Sequence, residues 1–147
     1  MVDVKEPPKE IEFIHTHEWP SDEIVELYKA GGWWKDSYDP EGVLPLLKGS
    51  FDFVIAYHSI ENRAVGMGRL VSDGVSDGYI QDLVVLPDLR GKGIGRGMVR
   101  ELLDFGRSRG LVWIGLIAEE GSRKFYEAVG FRVFCGTPMI FDPDGEV

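Results

Sequence analysis

Glycines alternate with basic and apolar residues in one short stretch of the chain, Arg90-Gly91-Lys92-Gly93-Ile94-Gly95-Arg96-Gly97. The stretch follows an apolar run and precedes an amphipathic segment, so it predicts a loop that leads from a strand into a helix. The first N–H groups of a helix have no partners inside the helix and attract anions, and glycines let the backbone approach a phosphate closely. The side chains of Arg90, Lys92 and Arg96 add positive charge here. These residues therefore indicate a site for a phosphate-bearing ligand.

Two common phosphate-binding motifs do not fit this loop. A P-loop needs a Gly-Lys pair followed by Ser or Thr, and the dinucleotide fingerprint G-x-G-x-x-G needs a spacing that strictly alternating glycines do not give. A plain connector without a ligand is the alternative. It is disfavoured because a glycine inside a helix costs up to about 1 kcal/mol of stability.

The periods of the apolar residues predict the elements that position the loop. Period-two runs predict antiparallel strands before it, over residues 51–57, 64–71 and 79–85, after a first short strand over residues 11–15. Helical spacing predicts helices over residues 21–30, 43–48, 94–109 and 120–129. The third of these helices follows the loop, and its predicted apolar stripe comprises Ile94, Met98, Leu102 and Phe105.

Three more strands are predicted beyond the loop helix. An unbroken apolar run over residues 111–116 predicts a strand buried on both faces and parallel to the strand before the loop, which completes a βαβ unit. Two short strands are predicted over residues 131–135 and 138–141. Residues 1–10, which are charged and contain two prolines, predict a poorly ordered lead-in to a single domain covering residues 1–147.

Composition excludes several classes of function. The chain carries 16 Lys and Arg against 25 Asp and Glu, a net charge of -9, which disfavours binding of nucleic acid or anionic membranes. Its one cysteine, Cys135, permits neither an internal disulfide nor a multi-cysteine metal site, and this suits a cytoplasmic protein. The three histidines, His15, His17 and His58, show no metal-ligand spacing, so no metal is expected. No apolar run is long enough to suggest a membrane anchor.

Two stretches of the chain resemble motifs of a known family. Residues 85–95, Val-Leu-Pro-Asp-Leu-Arg-Gly-Lys-Gly-Ile-Gly, look like the acyl-CoA motif R/Q-x-x-G-x-G/A of the GNAT N-acetyltransferase superfamily. Residues 125–131, Phe-Tyr-Glu-Ala-Val-Gly-Phe, are similar to the F-Y-x-x-x-G-F signature that follows in the same enzymes. The resemblance covers roughly residues 64–131. It implies an α/β GNAT fold, in which about four helices flank a mixed, mostly antiparallel sheet of six to seven strands that is splayed where acyl-CoA enters.

The resemblance also implies roles for individual residues. Acetyl-CoA is the implied cosubstrate, with its pyrophosphate on the loop residues Arg90, Gly91, Lys92, Gly93, Ile94 and Gly95 and with Arg96 nearby. Its pantetheine arm is expected along Leu83, Val84 and Val85, where the amide of Val84 or Val85 would stabilise the oxyanion. Tyr126 corresponds to the tyrosine that protonates the departing thiolate. Glu119 stands where many members have a cofactor-binding Asn, so that contact is not expected.

The base and the acceptor site are less defined. Asp82 is the first candidate for the base that takes the proton of an attacking amine, although a structural role for its carboxylate explains it equally well. Gln81 stands where some polyamine acetyltransferases of the superfamily have Glu, and it cannot act as a base. Arg69 and Gln81 are candidate acceptor contacts. Trp33, Trp34 and Tyr38 predict either an aromatic wall for the acceptor or core packing.

The sequence as a whole predicts an N-acetyltransferase that moves the acetyl group of acetyl-CoA directly to a primary amine of a small molecule or peptide. The alternatives are a non-catalytic acyl-CoA-binding sensor or interaction module, and an unrelated α/β nucleotide binder. Because members of the superfamily often pair through their late strands, the resemblance also makes a homodimer an expectation.

Overall fold

The computed structural model describes residues 5–147, so the first four residues of the predicted lead-in lie outside it. The described residues form two compact units, 5–116 and Ile117–Val147. The first unit contains a five-stranded sheet whose spatial order follows the sequence, with strands β1 (Ile11–His15), β2 (Asp52–His58), β3 (Arg63–Ser72), β4 (Asp77–Val85) and β5 (Trp113–Gly115). Neighbours are antiparallel from β1 to β4, and β5 is parallel to β4. The predicted α/β class with a mixed, mostly antiparallel sheet is confirmed.

Two helices cover one face of this sheet. Helix α1 (Ser21–Ala30) and the short helix α2 (Val43–Gly49) bury their apolar residues against β2, β3 and β4. Each fully buried aliphatic or aromatic side chain in such a cluster contributes roughly 1.5–3 kcal/mol relative to an exposed one. The largest of these buried side chains are Ile24, Leu27, Leu47, Phe53, Ile55 and Met67.

The third helix covers the opposite face. Helix α3 (Ile94–Ser108) follows a single 3₁₀ turn, Pro87–Leu89, and buries Ile94, Met98 and Leu102 as its apolar period predicts. Glycines on β3 permit its close approach: a Cβ added to Gly66 would lie 3.0 Å from Met98 Cε, and one added to Gly68 would lie 3.3 Å from Leu102 Cδ1. The helix that follows the glycine loop is therefore held directly on the sheet.

Strand β5 is shorter and more exposed than its apolar run predicts. It has three residues, its flanking Val112 is 87% exposed, and Trp113 is 38% exposed, so burial on both faces is wrong while the parallel pairing is right. The reason is its position at the edge of the sheet: the α3 side packs Ile114 against Gly106, whereas α1 packs against β3 and β4.

The second unit contains one helix, α4 (Arg123–Glu127), half as long as predicted. Gly121 and Gly130, on either side of it, have positive φ of +84° and +102°, which a continuing helix does not accommodate. The strands predicted over residues 131–135 and 138–141 are not formed, so six to seven strands was too many. Strand propensity alone does not make a strand, because its backbone groups need a hydrogen-bonded neighbour.

Within residues 5–147, no helix has both the length and the apolar composition needed to cross a membrane. The same residues contain no group of three or more His, Cys, Asp or Glu side chains arranged for a metal ion.

Candidate active site

The glycine loop takes a shape that only glycine adopts easily. Gly91 and Gly93 have φ of +76° and +84°, in the left-handed region where a side chain is strained. A Cβ on Gly93 would also run into the carbonyl oxygen of Lys5, and the Lys5 ammonium donates to the Gly91 carbonyl over 3.3 Å. The segment before β1 therefore touches the loop, a contact between residues 86 apart that no sequence motif indicates.

The loop ends at the N-terminus of α3. The first hydrogen bond of the helix runs from the Gly97 amide to the Gly93 carbonyl over 3.0 Å. The amides of Ile94, Gly95 and Arg96 precede that bond and have no acceptor within the helix. Unpaired amides at a helix N-terminus, together with the helix dipole, are able to stabilise an anion, so the geometry is compatible with the phosphate site expected from the glycine pattern.

Arg90 uses its side chain differently from the other loop cations. Its Nε donates to the Val85 carbonyl over 2.9 Å, and its Nη2 donates to the Ala30 carbonyl over 3.4 Å. Ala30 is the last residue of α1, so the guanidinium links the end of that helix to the end of β4. Lys92 is exposed and Arg96 is half-buried. The charge of Arg90 thus lies at the site while its hydrogen bonds hold two elements together.

Strand β4 carries a bulge just before this loop. Arg69 pairs with Gln81 and Met67 pairs with Val84, so the single residue Gly68 on β3 faces two residues on β4. One of the two, Asp82, has φ of +57°, a rare conformation for a residue with a side chain. A Cβ on Gly68 would lie 2.9 Å from Leu83 Cδ1, so a side chain at this position would force the Leu83 side chain to shift.

Beyond the bulge, one edge of β4 is open. Pairing with β5 involves only Asp77–Tyr79, while β4 continues to Val85. The Leu86 amide donates to the Val65 carbonyl of β3 over 2.9 Å. Because N–H groups alternate in direction along a strand, the Val84 amide also faces β3, and the amides of Leu83 and Val85 face the open edge. The segment expected along the pantetheine arm thus presents two amides away from the sheet.

The carboxylate of Asp82 is held by two donors on the α1 face. Tyr28 Oη and Arg69 Nε each lie 2.7 Å from Oδ2, and Arg69 Nη2 also donates to Gln81 Oε1 over 3.0 Å. Both of these contacts are made by Oδ2, and neither is made by the second carboxylate oxygen, Oδ1. Burial, followed by the adjacent Asp82 carboxylate, raises the pKa of Tyr28, so the phenol stays protonated and continues to donate. The structure thus brings together Asp82, Arg69 and Gln81 from the predicted site and adds Tyr28.

An aromatic cluster extends this network along the α1 face. The rings of Trp33 and Trp34 lie 6.3 and 6.4 Å from that of Tyr28, and Tyr38 lies 5.6 Å from Trp34. Trp33 and Trp34 pack against the buried cluster, whereas Tyr38 is 46% exposed. Core packing therefore accounts for part of this segment, and its exposed end is suited to the role of a wall.

Tyr126 belongs to the second unit, where it packs edge-on against two rings. Its ring centroid lies 4.9 Å from that of Phe125 and 5.8 Å from that of Phe131. The Phe131 amide donates to the Tyr126 carbonyl over 3.1 Å, which closes the turn around Gly130. Partial burial, with a smaller effect of the Glu119 carboxylate, raises the pKa of Tyr126. The phenol therefore carries its proton at neutral pH, as a general acid must.

A second polar network joins α3 to the sheet. The imidazole of His15 lies between two carboxylates, with Nδ1 2.9 Å from Asp52 Oδ2 and Nε2 2.9 Å from Glu101 Oε2, and it stacks on Phe105. Burial by itself lowers the pKa of His15, but the hydrogen bonds to Glu101 and Asp52 outweigh it and raise the pKa above its ordinary value. The network therefore favours a charged imidazolium between β1, β2 and α3.

Three contributors to the site were missed by sequence reasoning. Tyr28 and Lys5 are 54 and 86 residues from their partners, and nothing in their local sequence indicates those contacts. Gly68 did have a signal, because a glycine inside a strand often marks a bulge or a close backbone approach.

The fold and the loop correspond to a known class of protein. Residues 10–131 match the acetyltransferase (GNAT) family, and the chain belongs to this family. The predicted membership of the GNAT family is therefore confirmed.

Individual relatives agree with the family assignment. The chain is 36% identical over 81 residues to a glucosamine 6-phosphate N-acetyltransferase of Trypanosoma brucei brucei, covering 51% of this chain and 55% of the relative. It is 30% identical over 125 residues to an uncharacterized N-acetyltransferase of Pyropia yezoensis, covering 84% and 66%. The chain thus spans between about half and two thirds of these curated relatives. A GNAT family acetyltransferase from Streptococcus pneumoniae superposes with a TM-score of 0.74 at 28% identity, covering 91% of this chain and 98% of that one.

Proposed function

We propose that this protein transfers the acetyl group of acetyl-CoA directly to a primary amine of a small molecule or peptide. One observation carries the proposal: a left-handed glycine loop at the N-terminus of α3 continues from a strand whose edge is open beyond a bulge. The loop offers unpartnered amides for an anion, and the open edge offers amides for an extended polar chain. Acetyl-CoA has an anionic pyrophosphate that suits the loop amides and an extended polar pantetheine arm that suits the open edge.

Different backbone amides of the chain would bind the two parts of acetyl-CoA. The amides of Ile94, Gly95 and Arg96 would hold the pyrophosphate, with positive charge from Lys92 and Arg96 nearby. The outward amides of Leu83 and Val85 would hold the pantetheine arm and donate to the thioester oxygen as it becomes an oxyanion. One such donor is worth about 3–4 kcal/mol of transition-state stabilisation in other enzymes.

Proton transfer is assigned to two side chains. Asp82 accepts the proton of the attacking amine through Oδ1, directly or through one water, while Tyr28 and Arg69 hold Oδ2. The amine nitrogen bonds to the thioester carbon, the carbon–sulfur bond breaks, and Tyr126 donates its proton to the departing sulfur. No covalent enzyme intermediate is needed, and the exposed Cys135 has no role.

The acceptor is proposed at the level of its class. The trypanosome relative is named for glucosamine 6-phosphate, a small sugar amine, which supports a small-molecule acceptor. In this chain the acceptor side would be formed by the Asp82 network and the exposed end of the aromatic cluster at Tyr38. Aromatic faces attract ammonium groups with about 0.5–2 kcal/mol, so a cationic amine suits such a wall.

The test is the release of free thiol from acetyl-CoA in the presence of a panel of amines. The panel contains glucosamine 6-phosphate, polyamines, aminoglycosides, arylalkylamines, amino acids and peptides, with a reaction lacking acceptor as control. We expect release that requires an amine, with the acetylated amine found by mass spectrometry. Tight acetyl-CoA binding without release for any amine would contradict the proposal and favour a non-catalytic acyl-CoA-binding module.

A further inference from the structure

The last turn of α1 contacts the open segment of β4 at two points. The first is the hydrogen bond from Tyr28 Oη to Asp82 Oδ2, at the bulge. The second is the guanidinium of Arg90, which binds the Ala30 carbonyl of α1 and the Val85 carbonyl of β4. Leu83 and Val85, whose amides face outward, lie between these two points. We call this pair of contacts the α1 brace.

A brace is needed here because the segment lacks what usually fixes a strand. Its pairing with β5 ends at Tyr79, so the residues after that point are hydrogen-bonded to a neighbouring strand, β3, on one side only. The bulge interrupts that remaining ladder between Met67 and Arg69. Asp82 also holds a positive φ, a conformation that is strained for a residue with a side chain and persists only where surrounding contacts impose it.

We propose that Tyr28 and Arg90 are positioning residues of the transfer reaction, which act by holding the Leu83–Val85 segment in place through the α1 brace. The proposal rests on the proposed function, which assigns the outward amides of that segment to the oxyanion. A donor to an oxyanion must be placed to within a fraction of an ångström, and a displacement of about 1 Å can cost on the order of 100-fold in rate. The hydroxyl of Tyr28 touches no reacting atom and acts through Asp82.

The brace also joins the two sides of the site. Tyr28 contacts Trp33 and Trp34, which belong to the aromatic cluster, and Arg90 begins the glycine loop. Helix α1 therefore contacts both the acceptor side and the cofactor side. This arrangement explains why a tyrosine 54 residues away from Asp82 is placed on its carboxylate.

The decisive variant is Tyr28→Phe, which removes one hydroxyl and keeps the ring against Trp33 and Trp34. Tyr57→Phe is the matched control, because it removes a hydroxyl that binds Asn62 in the β2–β3 turn. Arg90→Lys is the second variant, since it keeps the charge and loses the forked contact. Amide hydrogen exchange is measured by NMR at Val84 and Leu86, which face β3, and compared with Val54 and Ile55 in β2.

We expect both brace variants to exchange at least about threefold faster at Val84 and Leu86, with β2 unchanged and Tyr57→Phe like the wild type. With an active acceptor, Tyr28→Phe should lower kcat about tenfold and leave KM for acetyl-CoA within about twofold. Unchanged exchange at Val84 and Leu86 would overturn the brace, and so would equal acceleration throughout the sheet. If the wild type shows no turnover, faster local exchange still supports the brace while the proposed function fails.

Discussion

The candidate site has two ends, the glycine loop and the bulge in β4, and they are formed by different parts of the polypeptide. The glycine loop is built from backbone: its shape comes from left-handed glycines, and its hydrogen-bond donors are amides at the start of α3. The bulge is built from side chains, since Asp82 is held by Tyr28 from α1 and Arg69 from β3. The glycine loop, which we call the backbone end of the site, needs residues without a side chain at particular positions. The bulge needs particular functional groups to meet. The proposed cofactor side should therefore respond to added side chains, and the proposed acceptor side to lost functional groups.

The largest expected effect lies at the bulge. Asp82→Asn keeps an oxygen that accepts from Tyr28 and Arg69, and Asn also tolerates the positive φ, but it removes the base. We expect kcat to fall about 100-fold and the acidic limb of the pH–rate profile to disappear. The measurement is kcat against pH for both proteins.

Retention of most of the turnover with an unchanged profile would show that Asp82 only holds the bulge. Asp142→Asn in the second unit, whose carboxylate accepts from the Glu146 amide, is the matched control and should leave kcat unchanged.

The next effect tests the backbone end. Gly93→Ala forces a methyl group against the Lys5 carbonyl and strains a φ of +84°. A strain of about 2 kcal/mol corresponds to roughly 30-fold weaker binding of acetyl-CoA if the loop shifts to relieve it. Calorimetric titration with acetyl-CoA measures the change.

Gly42→Ala serves as the control, because a Cβ there meets open space and φ is -71°. Equal acetyl-CoA affinities for Gly93→Ala and the wild type would contradict a cofactor role for the loop shape.

A third prediction separates affinity from chemistry. Tyr126→Phe removes the proposed acid while its ring still packs against Phe125 and Phe131. Because a thiolate is a good leaving group, with a thiol pKa of about 8.5, we expect only about a tenfold loss of kcat and unchanged acetyl-CoA affinity. Steady-state kinetics and titration give the two values, and a normal kcat would remove Tyr126 from the mechanism.

The smallest effect concerns the helix that carries the backbone end. The imidazole of His15 lies between Asp52 and Glu101, and the folded-state pKa of His15 is raised above the ordinary 6.5. Its stabilising contribution is therefore complete below about pH 6.5 and is lost as the pH rises through the raised pKa. Solvent exposure screens the pair, so we expect a loss of no more than about 1 kcal/mol.

Denaturant unfolding of the wild type and of His15→Gln measures this loss as the pH rises from about 6 to about 9. The stability advantage of the wild type should shrink across that range. An advantage that is constant or grows with pH would contradict the assignment.

The difference between the glycine loop and the bulge also explains which features could be predicted from the sequence. Four glycines in eight residues, followed by the apolar period of Ile94, Met98 and Leu102, show the loop and its helix directly, because each requirement is local. The first four strands were placed within about two residues for the same reason. The Asp82 network was not visible, since Tyr28, Arg69 and Asp82 meet only when α1 packs on the sheet. Asp82 and Arg69 were each singled out, but Tyr28 and the hydrogen bonds that join the three residues were not.

In the C-terminal residues, sequence reasoning predicted elements that the structure does not form. Residues 131–135 and 138–141 have the composition of strands, and Phe134, Met139 and Phe141 are 64%, 91% and 88% exposed. The two strands predicted there are wrong, because strand propensity alone does not form a strand. Sequence reasoning therefore succeeded where local conformation decides and failed where distant partners decide.

The strand order has a consequence for how the protein folds. Strands β1 to β4 pair as neighbours, and the β2–β3 and β3–β4 pairs are joined by tight turns, so these hairpins form with little loss of loop entropy. The parallel pair of β4 and β5 requires α3 to cross between them first, and it joins only three residues of each strand. The meander should therefore acquire protection early in refolding and the β4–β5 pair late. A nascent chain would form the β4–β5 pair only after the four antiparallel strands that carry it are already paired.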